Sequence, residues 1–234
     1  MLNRALYRQR QRGLSLVELM VGITIGLFIV AGALTLFASS LLENRRLIAQ
    51  TRLEQDMRSI ADLMTRDIRR AGYWGNSIQG TLAIGATATT ASNPYVGVSA
   101  TPSSTSGVLK YNFSRDLVEN NILDTNEQFG YQLLTTGTKA GVMQMLTAQN
   151  VWSDLNDANF TVITSFSVTD SSPPALSLGY RCPVMCAAGT PNCPQMFIRR
   201  YDIVLTGRST LDASVVRTLR TSVRVRNDQT TGSC

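Results

Sequence analysis

The chain has 234 residues, with 22 Lys and Arg against 16 Asp and Glu and no histidine. The missing imidazole excludes Ser-His-Asp and Cys-His catalysis and any His-ligated metal. The formal charge of +6 tempts toward nucleic acid, but without Arg4, Arg8, Arg10 and Arg12 only 18 bases face 16 acids, a formal +2, and no basic stripe interleaved with aromatics remains. No nucleic-acid partner is expected.

In chain order, residues 1–13 form a basic leader, the bias that keeps a segment cytoplasmic. The 24 residues from Leu19 to Leu42 carry no charge, enough to cross a bilayer core of about 30 Å. A removable secretory signal has a shorter apolar core, followed by a small-residue cleavage site. Ala31-Gly32-Ala33 spells such a site, but the apolar run continues through Leu34, Leu36, Phe37, Leu41 and Leu42. Ordinary signal-peptidase cleavage is therefore not expected. Between Leu14 and Leu42 the one ionisable residue is Glu18. A charged side chain at mid-membrane costs about 2.5–3.5 kcal/mol on insertion scales and needs water or a partner. Either Glu18 stays wet near the headgroups, or it awaits a cation from another subunit.

The run Gly13-Leu14-Ser15-Leu16-Val17-Glu18 resembles the cleavage motif of type IV prepilins: a Gly, an apolar residue, then a carboxylate at the fifth mature position, opening an apolar helix. The resemblance implies that a membrane prepilin peptidase cuts after Gly13 on the cytoplasmic side and methylates the new amino terminus at Leu14. It also implies that the apolar segment, residues 14–42, is retained as filament core, with Glu18 serving assembly. Two positions depart from the commonest pattern. Leu14 replaces the usual Phe, and Thr35 stands where many major pilins have a helix-kinking Pro, so no proline kink is expected. Gly22-x-x-x-Gly26 has the spacing of a small-residue helix contact, though Gly is common in membrane helices anyway.

From residue 43 to 71 the chain turns polar while keeping a helical period. Leu53, Met57, Ile60, Ala61, Met64 and Ile68 form one apolar stripe. Glu54 with Arg58 and Asp62 with Arg66 are acid-to-base pairs at i, i+4. Arg66, Arg69 and Arg70 suit a C-terminal dipole, and Gly72 supplies a stop. A helix over residues 14–71 would be about 87 Å long at 1.5 Å per residue. It ends in Asp67-Ile68-Arg69-Arg70-Ala71-Gly72-Tyr73-Trp74-Gly75, which resembles the PilW-type minor pilins, relatives of the GspJ-type pseudopilins of type II secretion. A generic helix cap with two aromatics sealing a head accounts for the same residues without any filament.

Residues 72–234 read as a periplasmic head. Its 77–107 stretch is a loop-rich connection of Ser, Thr, Ala and Gly with at most short strands. Strands are predicted at Val108–Asn112, Ala140–Leu146, Phe160–Val168, Ala175–Arg181, Gln195–Leu205 and Val215–Arg226. In the last, Val215, Leu219, Val223 and Val225 share one face and Thr218, Arg220, Ser222, Arg224 and Arg226 the other, as in an antiparallel sheet with one wet face. Asp154–Asn159 has calcium-like spacing but lacks the Gly and the distal Glu, so a solvated turn is expected. Arg199-Arg200 with Arg224 and Arg226 read as strand charges with opposing partners, in preference to a basic surface.

Cys182, Cys186, Cys193 and Cys234 read as two disulfides formed in an oxidising compartment. A four-thiolate zinc site is the rival, but C-x3-C-x6-C fits its spacing poorly. Of the three connectivities the reading leans to nesting, with Cys186–Cys193 closing a loop tip and Cys182–Cys234 tying down a tail, Asn227 to Ser233, that otherwise looks disordered.

The expected fold is α+β and pilin-like, a long amino-terminal helix packed on an antiparallel sheet head. The resemblance implies a minor pilin of a type IV pilus, a structural subunit in the priming or tip complex. Two alternatives stay open, a minor pseudopilin of type II secretion and a single-pass periplasmic binding module. The partners it implies are the prepilin peptidase, other minor and major pilins, the inner-membrane assembly platform, a tip adhesin and the membrane itself. The protein would reside first in the inner membrane and then in the extracellular filament. No catalytic residue, metal or cofactor is expected.

Overall fold

A computed structural model describes residues 13, 15–89, 91–101, 107–148, 150–187 and 189–234. The chain divides between Leu47 and Ile48 into two compact units. Residues 1–12 of the leader and Leu14 lie outside the described residues.

One helix, α1, runs from Leu16 to Ile68. It ends three residues before the expected Ala71, because its last turn tightens. Arg70 N–H and Ala71 N–H donate to Asp67 O and Ile68 O, at 2.9 and 3.0 Å. Gly72 then takes φ +72°, the left-handed conformation in which glycine ends helices, and its N–H leaves the helix for Asn112 O. Arg58 pairs with Glu54, whereas Arg66 lies 3.9 Å from Asp67 instead of reaching Asp62.

Among the described residues the second unit carries three antiparallel sheets beside the end of α1. The first is a five-stranded meander of β1 (Val98–Thr101), β2 (Val108–Asn112), β3 (Gln128–Leu133), β4 (Met143–Leu146) and β5 (Trp152–Asp154). The second contains β6 (Thr161–Asp170), β9 (Arg200–Ser209) and β10 (Val216–Arg224) in the order β10-β9-β6. The third holds β7 (Leu176–Ser177), β8 (Gln195–Phe197) and β11 (Gln229–Thr231) in the order β11-β8-β7. This is the pilin-like α+β architecture.

All six residues of the predicted stripe on α1 are buried, together with Ala49. They pack with Leu109, Tyr131, Met143, Ile163, Phe166, Ile203 and Val223 in one core. Truncating a fully buried Met64 or Ile68 to Ala costs about 2–5 kcal/mol. Gly207 lets the helix approach closely, since a Cβ there would lie 3.1 Å from Met57 Sδ.

Two helix carboxylates add direction to this packing. Asp56 accepts a hydrogen bond from Thr161 Oγ1 on β6 at 2.5 Å, and Asp67 one from Tyr131 Oη on β3 at 2.8 Å. Bonds to charged groups are worth about 1.5–3 kcal/mol each. Burial, reinforced by Tyr111 and Asp67, pushes the Tyr131 phenol's pKa up, which keeps it a donor.

Several predicted strands change on folding. Ala175–Arg181 yields only Leu176–Ser177, followed by a 3-10 turn at Gly179–Arg181. A side chain on Gly179 would overlap Cys186 O, so the disulfide loop bends the chain there. Gln195–Leu205 splits into β8 and β9 because Arg199 turns inward. In β6 a bulge between Ile163 and Ser165 shifts the buried side from Thr161 and Ile163 to Phe166 and Val168. The 77–107 stretch holds a 3-10 turn at Ser77–Gly80 and β1, and buries Leu82 and Tyr95.

Candidate functional site

Among the described residues of the amino-terminal unit, Leu16 to Leu42 is almost entirely exposed and apolar. Gly13 is exposed, and a Cβ built there meets nothing within 4 Å. Leu19 N–H donates to Ser15 O at 3.1 Å, which puts Glu18 in the first turn of α1. A carboxylate is favoured there by the helix dipole. Among the described residues no cation stands against it.

Beyond Glu18, Leu16 to Leu42 presents Leu, Ile, Val and Phe side chains outward, with Phe28 80% and Leu36 71% exposed. One 18-residue window of this helix is apolar and long enough to span a membrane, and none of it is buried. Its hydroxyls are satisfied within the helix. Thr24 donates to Val21 O at 2.9 Å, Thr35 to Gly32 O at 2.8 Å, and Ser39 and Ser40 both to Leu36 O. Lipid supplies no hydrogen-bond partner, so this internal satisfaction is what a lipid-facing helix requires. Spacing alone gave no sign of it. Gly22, Gly26 and Gly32 likewise have open space where a Cβ would lie.

At the other end of α1 the Ala71-Gly72-Tyr73-Trp74-Gly75 segment is a structural hub. Asn227 Nδ2 donates to Arg70 O and Ala71 O, at 3.3 and 3.0 Å, so a residue from the tail caps the helix carbonyls. Asn93 Nδ2 donates to Gly72 O at 2.9 Å, and Ser114 N–H to Tyr73 O. Trp74 is buried, and its indole N–H donates to Asn121 Oδ1 at 2.8 Å. Glu119 collects Gly75 N–H at 2.9 Å, Asn121 N–H at 3.1 Å and the Tyr95 hydroxyl at 2.7 Å. Partial burial opposes the Glu119 charge, but hydrogen bonds from Ser114, Tyr95, Gly75 and Asn121 outweigh it and lower the pKa.

Arg199 is 8% exposed and directs its guanidinium to the carbonyls of Val96 and Asn227. Desolvation lowers its pKa, while the nearby Tyr201, Asp228 and Asp170 act in the opposite direction. The expectation of Arg199 as a strand charge with an opposing partner is overturned, since it lies buried between β8 and β9 on backbone carbonyls, and Asn227 carried no sequence signal as a cap.

The cysteines are paired as Cys182–Cys234 and Cys186–Cys193, with Cα separations of 5.4 and 6.0 Å. The nested pairing is the one present, with Cys182 Sγ 3.9 Å from Cys186 Sγ. The tail forms β11 against β8 instead of hanging free.

Asp154–Asn159 is structural. Asp154 accepts from Lys139 Nζ and Gln144 Nε2, while Asn156 Oδ1 accepts Met143 N–H and its amide donates to Gly141 O and Thr161 O. Among the described residues no cluster of three or more acidic, His or Cys side chains forms a metal site. Of the arginines expected to meet opposing charges, Arg224 pairs with Asp228 at 3.0 Å but also stands directly opposite Arg200 across the β10–β9 ladder.

Two family models match this chain. The prokaryotic N-terminal methylation motif matches residues 8–34, which include Gly13 and Glu18. The model of prepilin peptidase-dependent protein B matches residues 46–225, from the buried stripe of α1 through β10. The chain belongs to the prepilin peptidase-dependent protein B family. No curated protein and no solved structure matches it. A member of this family is a prepilin-like minor pilin that depends on the prepilin peptidase, and its amino-terminal apolar helix is of the kind that anchors a prepilin in the inner membrane.

Proposed function

We propose that this prepilin peptidase-dependent protein is a structural minor pilin of the PilW type, which enters a type IV pilus through its priming or tip complex. The observation that carries the reading is the junction of a methylation motif at Gly13–Glu18 with a helix whose apolar side chains are exposed from Leu16 to Leu42. A surface of that kind needs lipid or other helices to cover it.

In this reading the peptidase cuts after Gly13 and methylates Leu14. Glycine suits a protease that must grip the backbone closely, because it carries no side chain. The amino group at Leu14 is then the cation that Glu18 of a neighbouring subunit lacks, and pairing relieves two charges in a low-dielectric core. Other pilins cover the apolar helix once it leaves the membrane, with the assembly platform and a tip adhesin as further partners.

Gly13→Phe should leave a precursor heavier by the leader, read by intact mass or immunoblot, with no methylated Leu14. Normal processing of that variant would overturn the reading. Normal pili with lost exoprotein secretion in a deletion strain would assign the protein to a type II secretion pseudopilus instead.

A further inference from the structure

Among the described residues strand β10 lies at a sheet edge and pairs only with β9. Its ladder is flanked by Ser209 N–H donating to Val215 O and Val225 N–H donating to Arg199 O, both at 3.0 Å. Hydrogen-bonded pairs alternate in antiparallel ladders, so odd-numbered residues of β10 direct their backbone groups to β9 and even-numbered ones direct theirs outward. Arg226 bears this out, since its N–H points away from β9 and donates to Arg69 O at 3.1 Å. Among the described residues nothing occupies the outward amides of Thr218, Arg220, Ser222 and Arg224, and all four residues are exposed.

This open edge is strongly basic. Arg217, Arg220 and Arg224 lie along it, and Arg69, Arg224 and Arg226 line one groove at its end. Like charges directly across a ladder are destabilising, yet Arg224 faces Arg200. Asp228 reaches Arg224 at 3.0 Å, while Arg217 and Arg220 meet no carboxylate among the described residues. Scattered charges suffice to blunt an edge. Concentrated arginines beside free backbone donors and acceptors match an anionic strand.

We propose that β10 accepts an extended acidic segment of a partner polypeptide as an added strand. Its alternate residues are Asp or Glu facing Arg220 and Arg224, and those between are apolar, continuing the row of Leu219 and Val223. This docking site does not depend on the filament reading.

The test uses the full chain in detergent micelles and a fluorescent nonapeptide alternating Glu and Val. A second peptide of equal charge carries N-methyl groups on alternate amides. The first should bind, and the methylated form should bind at least about tenfold more weakly, because charge remains and strand pairing does not. Arg220→Glu should weaken binding roughly tenfold. Ser222→Pro removes an outward N–H at an edge position, where proline is tolerated, so it should lose the peptide while shifting the melting temperature little. No binding, or binding indifferent to N-methylation, would overturn the proposal. Tighter capture of a single-stranded oligonucleotide that ignores Ser222→Pro would reassign the surface to nucleic acid. Self-association abolished by Ser222→Pro would reassign it to a second copy. The peptide comparison on the unaltered protein decides the matter even if a variant fails to fold.

Discussion

Gly72→Ala tests the hub at the end of α1. The residue has φ +72°, and a Cβ built on it lies 2.6 Å from Arg199 Nη2. An exposed guanidinium would swing aside, but this one is buried and held by two carbonyls. The variant therefore carries two penalties. Left-handed backbone without glycine costs about 1 kcal/mol or more. Displacing Arg199 loosens charge-assisted hydrogen bonds worth about 1.5–3 kcal/mol each. Gly137→Ala separates the two, because Gly137 has φ +80° and nothing within 4 Å of its Cβ. Gly137→Ala should cost about 1 kcal/mol and Gly72→Ala about 3. At roughly 2–4 °C per kcal/mol for a unit of this size, the melting temperature should fall by about 2–4 °C and about 6–12 °C respectively. Near-UV circular dichroism of the full chain in micelles follows Trp74 and the buried tyrosines through the transition. Equal shifts for the two variants would refute the role given to Arg199.

Glu18→Ala should be cleaved and methylated normally but appear at low abundance in sheared pili, and incorporation at the wild-type level would mean that the carboxylate is merely solvated. Replacing Cys182 and Cys234 by Ser should destabilise the protein by about 4 kcal/mol, against about 2 kcal/mol for Cys186 and Cys193, because the closed loops span 52 and 7 residues. Equal losses in denaturant titrations would place the effect in native contacts instead of chain entropy. The lowered pKa of Glu119 gives a pH signature: its stabilisation is full above the unfolded value of 4.5 and is lost as pH falls through the lower folded value. Wild type should therefore melt above Glu119→Gln at neutral pH and converge with it on acidification, and a gap independent of pH would contradict the hydrogen-bonded carboxylate.

The elements legible in the sequence were those with an unbroken period. The α1 stripe kept its 3.6-residue spacing from Leu53 to Ile68, and β10 kept its alternation, because each packs one face on the same core. Strand β3 was illegible because Gly130 interrupts Gln128–Leu133. Its lack of a Cβ reflects a close approach, with Leu109 O only 2.7 Å from where that atom would lie. The tail read as disordered because its order is tertiary: β11 depends on β8 and Asn227 on the helix end. At the candidate site, Gly13 and Glu18 stood out by type and spacing. Glu119 did not, and Arg199 reads in the sequence as a strand charge, since their roles come from backbone groups distant in sequence.

The two carboxylate anchors on α1 have a mechanical consequence. Asp56 and Asp67 stand three turns apart on one side of the helix, each held by a hydroxyl from a different sheet. A pull along the helix axis loads both bonds together with the buried stripe, in shear and not one after another. Sliding by even one turn would release both at once and misplace every buried side chain of the stripe. The head is thus fastened to its helix in parallel, an arrangement that resists tension up to a threshold and then yields in a single step.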